Sequence, residues 1–105
     1  RGAPQVQIWD ADNQWGIGSG GLYNNQKNSS QPLVIADNIV GDWNRFHVIM
    51  RGEKVTVWLN GKLVVDNVPL ENYWNRKEPI YPTGQIELQC HGDPIEWRNV
   101  FIKEL

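Results

Sequence analysis

The fold is decided by residues 46–66, which read FHVIMRGEKVTVWLNGKLVVD. Apolar and polar side chains alternate in residues 46–51 and again in 55–59, and a period of two is typical of a strand with one buried face. Gly52-Glu53-Lys54 separates these two segments. Asn60-Gly61 follows the second, and this dipeptide favours a tight hairpin because both of its residues tolerate positive φ. The stretch therefore predicts a three-stranded antiparallel meander whose third strand is Lys62–Asp66.

The same period predicts strands elsewhere in the chain. No stretch of about eleven residues carries apolar positions at the helical spacing of i, i+3, i+4 and i+7, so we predict no helix. Pro69–Pro82 has no clean periodicity and is predicted to be a long loop or an edge element. An all-β antiparallel sandwich or barrel follows from this pattern. The further predicted strands are Gln5–Trp9, Leu22–Tyr23, Gln85–Cys90 and Glu96–Lys103.

Composition excludes several classes of protein. The 105 residues carry a formal net charge of −2, which is unlike the basic excess of nucleic-acid-binding domains. The apolar runs are far shorter than the roughly 20 residues that cross a bilayer. Cys90 is the one cysteine, so neither an intrachain disulfide nor a cysteine-based metal site can form. The first residues, from Arg1 onward, show no signal peptide.

Two strands place polar side chains on one face and apolar side chains on the other. In the first of them Gln5, Gln7 and Trp9 share a face, with Val6 and Ile8 behind it. These faces are either solvent-exposed sides of a sheet or the lining of a cleft for a hydroxyl-rich ligand. If the two strands lie side by side, they form a concave sugar site. The second face consists of Gln85, Glu87, Gln89 and His91.

Among titratable residues, His91 is the better candidate acid or base because it lies at a strand end and an imidazole changes charge near neutral pH. A loop histidine bonded to backbone is the alternative. Arg98 either covers a surface, pairs with Glu87 or Glu96, or donates to sugar oxygens or an enolate in a cleft. Asp10 and Asp12 could bind a cation but lack further ordered oxygen ligands, so we predict a turn and no metal site. No nucleophile elbow, phosphate loop or zinc motif is present.

Taken together, several segments resemble the 3-keto-disaccharide hydrolase domain family, with matching order and spacing across essentially the whole chain. These segments are Gln5-Val6-Gln7-Ile8-Trp9-Asp10, Gly20-Gly21-Leu22-Tyr23, Gly41-Asp42-Trp43-Asn44, Val55–Gly61, Gly84–Gly92 and Trp97-Arg98-Asn99-Val100.

The resemblance implies a concanavalin-A-like jelly roll, in which two curved antiparallel sheets carry the ligand cleft on the concave one. Family domains continue for several strands upstream of the position that matches Arg1. Residues 1–105 are therefore expected to be the C-terminal part of a single domain that is incomplete at its N-terminus. The missing strands are expected to come from another chain, or the chain is a fragment.

The chemistry implied by the resemblance is the cleavage of 3-keto-glycosides, by removal of the C2 proton, elimination at C1 and hydration. By the same resemblance the catalytic positions are His91, Arg98 and Asp10, with His91 as acid or base and Arg98 stabilising the enolate. The substrate-binding positions are Gln7, Trp9, Tyr23, Glu87 and Gln89.

Other functions stay open. A non-catalytic, lectin-like module would use the same face, with Trp9, Trp15 or Trp74 as stacking platforms. An interaction domain whose open sheet edge adds a strand from a partner is a third reading. No cofactor is predicted, and a divalent cation has no support in the sequence. The resemblance implies a bacterial protein of the periplasm or a secreted one, whose partner is a carbohydrate and neither nucleic acid nor a membrane.

Overall fold

The computed structural model describes residues 5–9 and 16–105, and its largest element is the predicted meander. Strands β3 (Phe46–Arg51), β4 (Lys54–Leu59) and β5 (Lys62–Pro69) form an antiparallel sheet in the order β3-β4-β5. Asn60 and Gly61 take φ of 51° and 81°, as a type I′ turn requires. The register pairs Phe46 with Leu59, and the meander prediction is confirmed.

A second, smaller sheet joins β1 (Gln5–Val6) to β2 (Leu22–Tyr23) in antiparallel register. Two further backbone hydrogen bonds continue this pairing, from Gln7 N–H to the Gly21 carbonyl at 2.9 Å and from Gly20 N–H to the Gln7 carbonyl at 2.8 Å. The first predicted strand therefore ends its regular ladder at Val6, but its backbone stays bonded one residue further.

The two sheets share one apolar core. Leu22 from the small sheet is fully buried with the inward side chains of β4, namely Val55, Val57 and Leu59. Val6 packs against the same cluster. In the parts of the chain that the structure describes, all regular structure is β and no helix is present, so the all-β prediction is confirmed. The remaining core residues are Ala36, Val64, Val65 and Leu70, with Phe46, Val68 and Ile80 packed against them.

Gly20 allows the sheets to approach closely. A Cβ atom at this position would lie 2.7 Å from Cγ2 of Val64 on β5, and the residue has a φ of 97°. Both the contact and the conformation exclude an ordinary side chain. Gly20 therefore sets the distance between β2 and the large sheet.

The predictions of strands at Gln85–Cys90 and Glu96–Lys103 are wrong for this structure. Residues 82–105 contain no strand, and every residue from 81 to 105 is exposed. Apolar and polar residues do alternate in these segments of the sequence. A strand, however, forms only when its backbone groups pair with a neighbouring strand, and no described strand pairs with residues 82–105. As a result, apolar side chains such as Ile86 and Phe101 lie 76% and 89% exposed.

Candidate functional site

Trp9 and Tyr23 form an aromatic patch on the outer side of the small sheet, which we call the Trp9–Tyr23 patch. Their ring centroids lie 6.5 Å apart at an interplanar angle of 43°. Because Val6 and Leu22 point into the core, the alternate positions at Gln7 and Tyr23 face away from it. Trp9 is half-buried and Tyr23 is 50% exposed, so the patch presents both a fixed ring and an accessible one.

A buried serine holds Trp9 in place. The Trp9 N–H donates to Ser19 Oγ at 2.8 Å, and the same hydroxyl donates to the Trp9 carbonyl at 2.9 Å. The Ser19 N–H in turn donates to Asp37 Oδ1 at 2.9 Å. Sequence reasoning missed both supporting residues. The available signal was that Ser19 carries a polar side chain inside the glycine-rich stretch Gly16–Gly21.

The loop that follows Tyr23 is fixed by Glu71. This carboxylate accepts the backbone N–H groups of Gln26 and Asn28, each at 2.9 Å, and that of Lys27 at 3.1 Å. Arg76 pairs with Glu71 at 3.2 Å and also donates to the Asn24 carbonyl.

These contacts set the ionisation of Glu71. Burial opposes the charged form, but the three backbone donors and Arg76 outweigh it and lower the pKa of Glu71 from 4.5 to about 2. The carboxylate is therefore a structural anion that anchors residues 24–28 beside the patch.

Arg98 lies over the indole of Trp43, with its guanidinium carbon 3.9 Å from the ring centroid. This is the geometry of a cation–π contact. The predicted alternative of a pairing with Glu87 or Glu96 does not occur, since the one ion pair among the described residues joins Arg76 to Glu71. Arg98 therefore covers the surface formed by Trp43, and it makes no ion pair with a carboxylate among the described residues.

The loop that carries Trp43 is held by asparagine side chains. Asn60 donates to the Ala36 carbonyl at 2.7 Å and to Asn44 Oδ1 at 2.8 Å, and it accepts the Arg45 N–H at 2.9 Å. Asn38 donates to the Trp43 carbonyl at 2.8 Å. The turn residue Asn60 therefore positions the surface on which Arg98 rests.

The other predicted site residues stand apart from the patch. Glu87, Gln89 and His91 lie on the exposed segment without strand pairing. Within residues 5–9 and 16–105, no hydrogen bond, ion pair or ring contact links them to Gln7, Trp9 or Tyr23. Asp10 lies outside the described residues. The structure thus brings Trp9 and Tyr23 together and leaves the second predicted face separate from them.

The remaining aromatic platforms considered from the sequence are Trp15 and Trp74. Trp15 lies outside the described residues. Trp74 is 65% exposed and contacts Tyr73 edge to face at a centroid distance of 5.0 Å. Arg76 lies 5.6 Å from the Tyr73 centroid, so this pair is tied to the Glu71 loop anchor.

The described part of the chain offers no group of three or more His, Cys, Asp or Glu side chains that could hold a metal ion. Among those same residues, no helix is long and apolar enough to cross a bilayer.

Comparison with known protein families finds a match over nearly the whole chain. The sequence model of the 3-keto-disaccharide hydrolase family, described as a 3-keto-alpha-glucoside-1,2-lyase-like domain, matches residues 1–103. Neither a curated protein nor a solved structure shows a significant match to the chain.

Proposed function

Because this chain belongs to the 3-keto-alpha-glucoside-1,2-lyase-like domain family, we propose that it cleaves 3-keto-glycosides by elimination followed by hydration. The observation that carries this proposal is the family match, which spans essentially the whole chain and agrees with an all-β fold of two antiparallel sheets. The jelly-roll architecture is part of the proposal, and the packing of the two sheets on one core supports it.

The proposed reaction depends on the acidity that a ketone at C3 gives to the hydrogen at C2. A base removes this proton and the electrons form an enolate. The enolate re-forms the ketone as the C1–O bond breaks, and the departing oxygen takes a proton from an acid. Water then adds to the resulting glycal, with its oxygen at C1 and hydrogen at C2. The net change is hydrolysis, and it needs a base, an oxyanion donor and an acid.

We assign His91 as the acid or base, Arg98 as the donor to the enolate oxygen and Asp10 as the third catalytic residue. The exposed imidazole next to Gly92, which has a φ of 98°, supports the first assignment because the ring is open to a ligand. The guanidinium of Arg98 supports the second because no described carboxylate neutralises it. Catalysis by these residues requires residues 87–98 and the Trp9–Tyr23 patch to contact the same substrate molecule.

Substrate binding is assigned to Gln7, Trp9, Tyr23, Glu87 and Gln89. The half-buried indole of Trp9 and the exposed ring of Tyr23 support a stacking role, because the apolar face of a sugar packs on an aromatic ring. The fixed position of Trp9 reduces the entropy lost when a ligand binds. Action outside the cytoplasm of a bacterium belongs to the same proposal and rests on the family alone.

A lectin-like module is the second candidate function, and the exposed rings of Tyr23 and Trp74 favour it. Release of 4-nitrophenol from 4-nitrophenyl 3-keto-glucoside separates the two. An enzyme releases the phenol continuously from the keto substrate and not from the parent 4-nitrophenyl glucoside, which lacks the acidified C2 hydrogen. Binding of the keto sugar without release of 4-nitrophenol would contradict the enzymatic function and support the lectin-like one.

A further inference from the structure

The outer face of β3 and β4 carries three cross-strand pairs that form a ladder. His47 lies opposite Trp58, Ile49 opposite Thr56, and Arg51 opposite Lys54. Residues directly opposite in antiparallel register share a face of the sheet. The ladder therefore has an aromatic pair at one end and a pair of cations at the other, separated by one apolar-polar pair.

This face is separate from the Trp9–Tyr23 patch. Val55, Val57 and Leu59 alternate with the ladder residues of β4 and point into the core. Val6 and Leu22 reach the same core from the small sheet, with the patch on their far side. The core therefore lies between the two surfaces.

The aromatic end presents a fixed ring. The rings of His47 and Trp58 are stacked, with centroids 5.1 Å apart and an interplanar angle of 27°. Trp58 is half-buried and lines a groove of about 210 Å³, which His47 does not line. The indole surface turned to the groove is consequently free for a ligand. The groove volume is below the roughly 300 Å³ of the smallest drug-sized pockets, so the groove encloses at most one sugar ring and a longer ligand lies partly outside it, along the open face of the sheet.

The cationic end carries a charge conflict. Like charges directly opposite each other on neighbouring strands are destabilising, and Arg51 and Lys54 are such a pair. No ion pair neutralises either one within the described residues, where Glu71 and Arg76 make the one ion pair, and Glu53 in the intervening turn makes none. An anion bound between the two cations would relieve this repulsion.

Polar groups line the groove between the ends. Thr56 Oγ1 accepts the Asn67 N–H at 3.1 Å, and both residues line the groove with Ile49. Lys54 and Trp58 are four residues apart on one strand, which separates them by roughly 13 Å at the ordinary rise of a strand. That distance exceeds a single sugar ring and fits a short chain of sugars.

We propose that this groove binds an acidic oligosaccharide, with one sugar ring on Trp58 and a carboxylate between Arg51 and Lys54. Thr56 and Asn67 form hydrogen bonds with the hydroxyl groups of the ligand that lie between these two contacts. The site is a second binding surface on the face opposite the Trp9–Tyr23 patch, and it does not depend on the proposed catalytic function. It would hold the domain on an acidic glycan while the patch remains free.

The test is titration of the full chain with trigalacturonate, its trimethyl ester and citrate, followed by calorimetry and by amide and indole N–H chemical shifts. We expect trigalacturonate to bind and to shift the Trp58 indole N–H and the Thr56 and Asn67 amides. The ester has the rings without the charge and citrate has the charge without the rings, so each should bind at least about tenfold more weakly. No binding of trigalacturonate, or equal binding of either control compound, would overturn the site.

A double variant, Arg51→Gln with Lys54→Gln, tests the cationic end at exposed positions where folding is not at risk. We expect its affinity for trigalacturonate to fall at least about tenfold. The matched control is Lys77→Gln with Lys103→Gln, which removes the same charge from exposed residues outside the groove and should bind as the wild type does. Equal affinity of the two double variants for trigalacturonate would mean that binding depends only on net charge, and it would refute the assigned contacts with Arg51 and Lys54.

Discussion

The buried hydroxyl of Ser19 forms hydrogen bonds with both backbone groups of Trp9: it accepts the Trp9 N–H at 2.8 Å and donates to the Trp9 carbonyl at 2.9 Å. Ser19→Ala leaves both groups without this partner. We expect the free energy of unfolding in urea to fall by about 1–2 kcal/mol. Ser29→Ala is the control, since that side chain is exposed and makes no hydrogen bond among the described residues. Equal losses in the two variants would contradict the anchoring role of Ser19.

Glu71 should make the free energy of unfolding of the domain depend on pH below about 4.5. Its pKa is lowered from 4.5 to about 2 in the folded chain, so its stabilising contribution is complete above pH 4.5 and is lost as the pH falls to about 2. We expect this loss to be on the order of 1–2 kcal/mol, because solvent screens part of the interaction with Arg76.

Glu71→Gln is the matched variant for this acid dependence. It should be less stable at neutral pH and should lose this component of the pH dependence between 4.5 and 2. The measurement is urea unfolding at a series of pH values. The same slope in variant and wild type would mean that another carboxylate is responsible.

His91→Ala should lower the rate of 3-keto-glucoside cleavage by about 10²–10⁴-fold, the usual contribution of a general acid or base. Because the side chain is exposed, the melting temperature should not change. Asp93→Asn alters the same exposed turn and serves as the control, with wild-type turnover expected. Unchanged turnover in His91→Ala would remove this residue from the mechanism.

The meander was predictable from the sequence because its pairing is local. Asn60-Gly61 closes a hairpin between adjacent segments, and the alternation of Val55, Val57 and Leu59 marks the buried face before any other strand is known. Local turn chemistry and a period of two are sufficient for such an element.

The strand predictions within residues 85–103 were wrong because pairing there cannot be read from local sequence. Ile86 and Leu88 alternate with polar residues as clearly as those of β4, but the pattern gives no information about which strand supplies the hydrogen bonds. In the candidate site, Trp9 was predictable from the alternation of residues 5–9, whereas Tyr23 followed only from the family resemblance. Ser19 and Glu71 were not predictable, because their partners are distant in sequence and consist of backbone groups.

Hydrogen exchange distinguishes these two kinds of segment. We expect amides of the central strand β4, including Val57, to exchange slowest, because they are buried and paired on both sides. Amides of Ile86 and Leu88 should exchange at nearly the rate of an unfolded chain, which peptide-resolved mass spectrometry would measure. Protection at residues 85–90 comparable with that of β4 would show that this segment forms a paired strand in solution.

Cleavage of a 3-keto-glucoside in heavy water tests the central claim most directly. Elimination removes the C2 hydrogen and hydration of the glycal restores one from solvent, so the 3-keto-glucose released should carry deuterium at C2. Product kept alone in heavy water for the same time corrects for spontaneous exchange. Deuterium at C2 above this background is the predicted result, whereas released sugar that retains its original C2 hydrogen, or no released sugar at all, would contradict the proposed reaction.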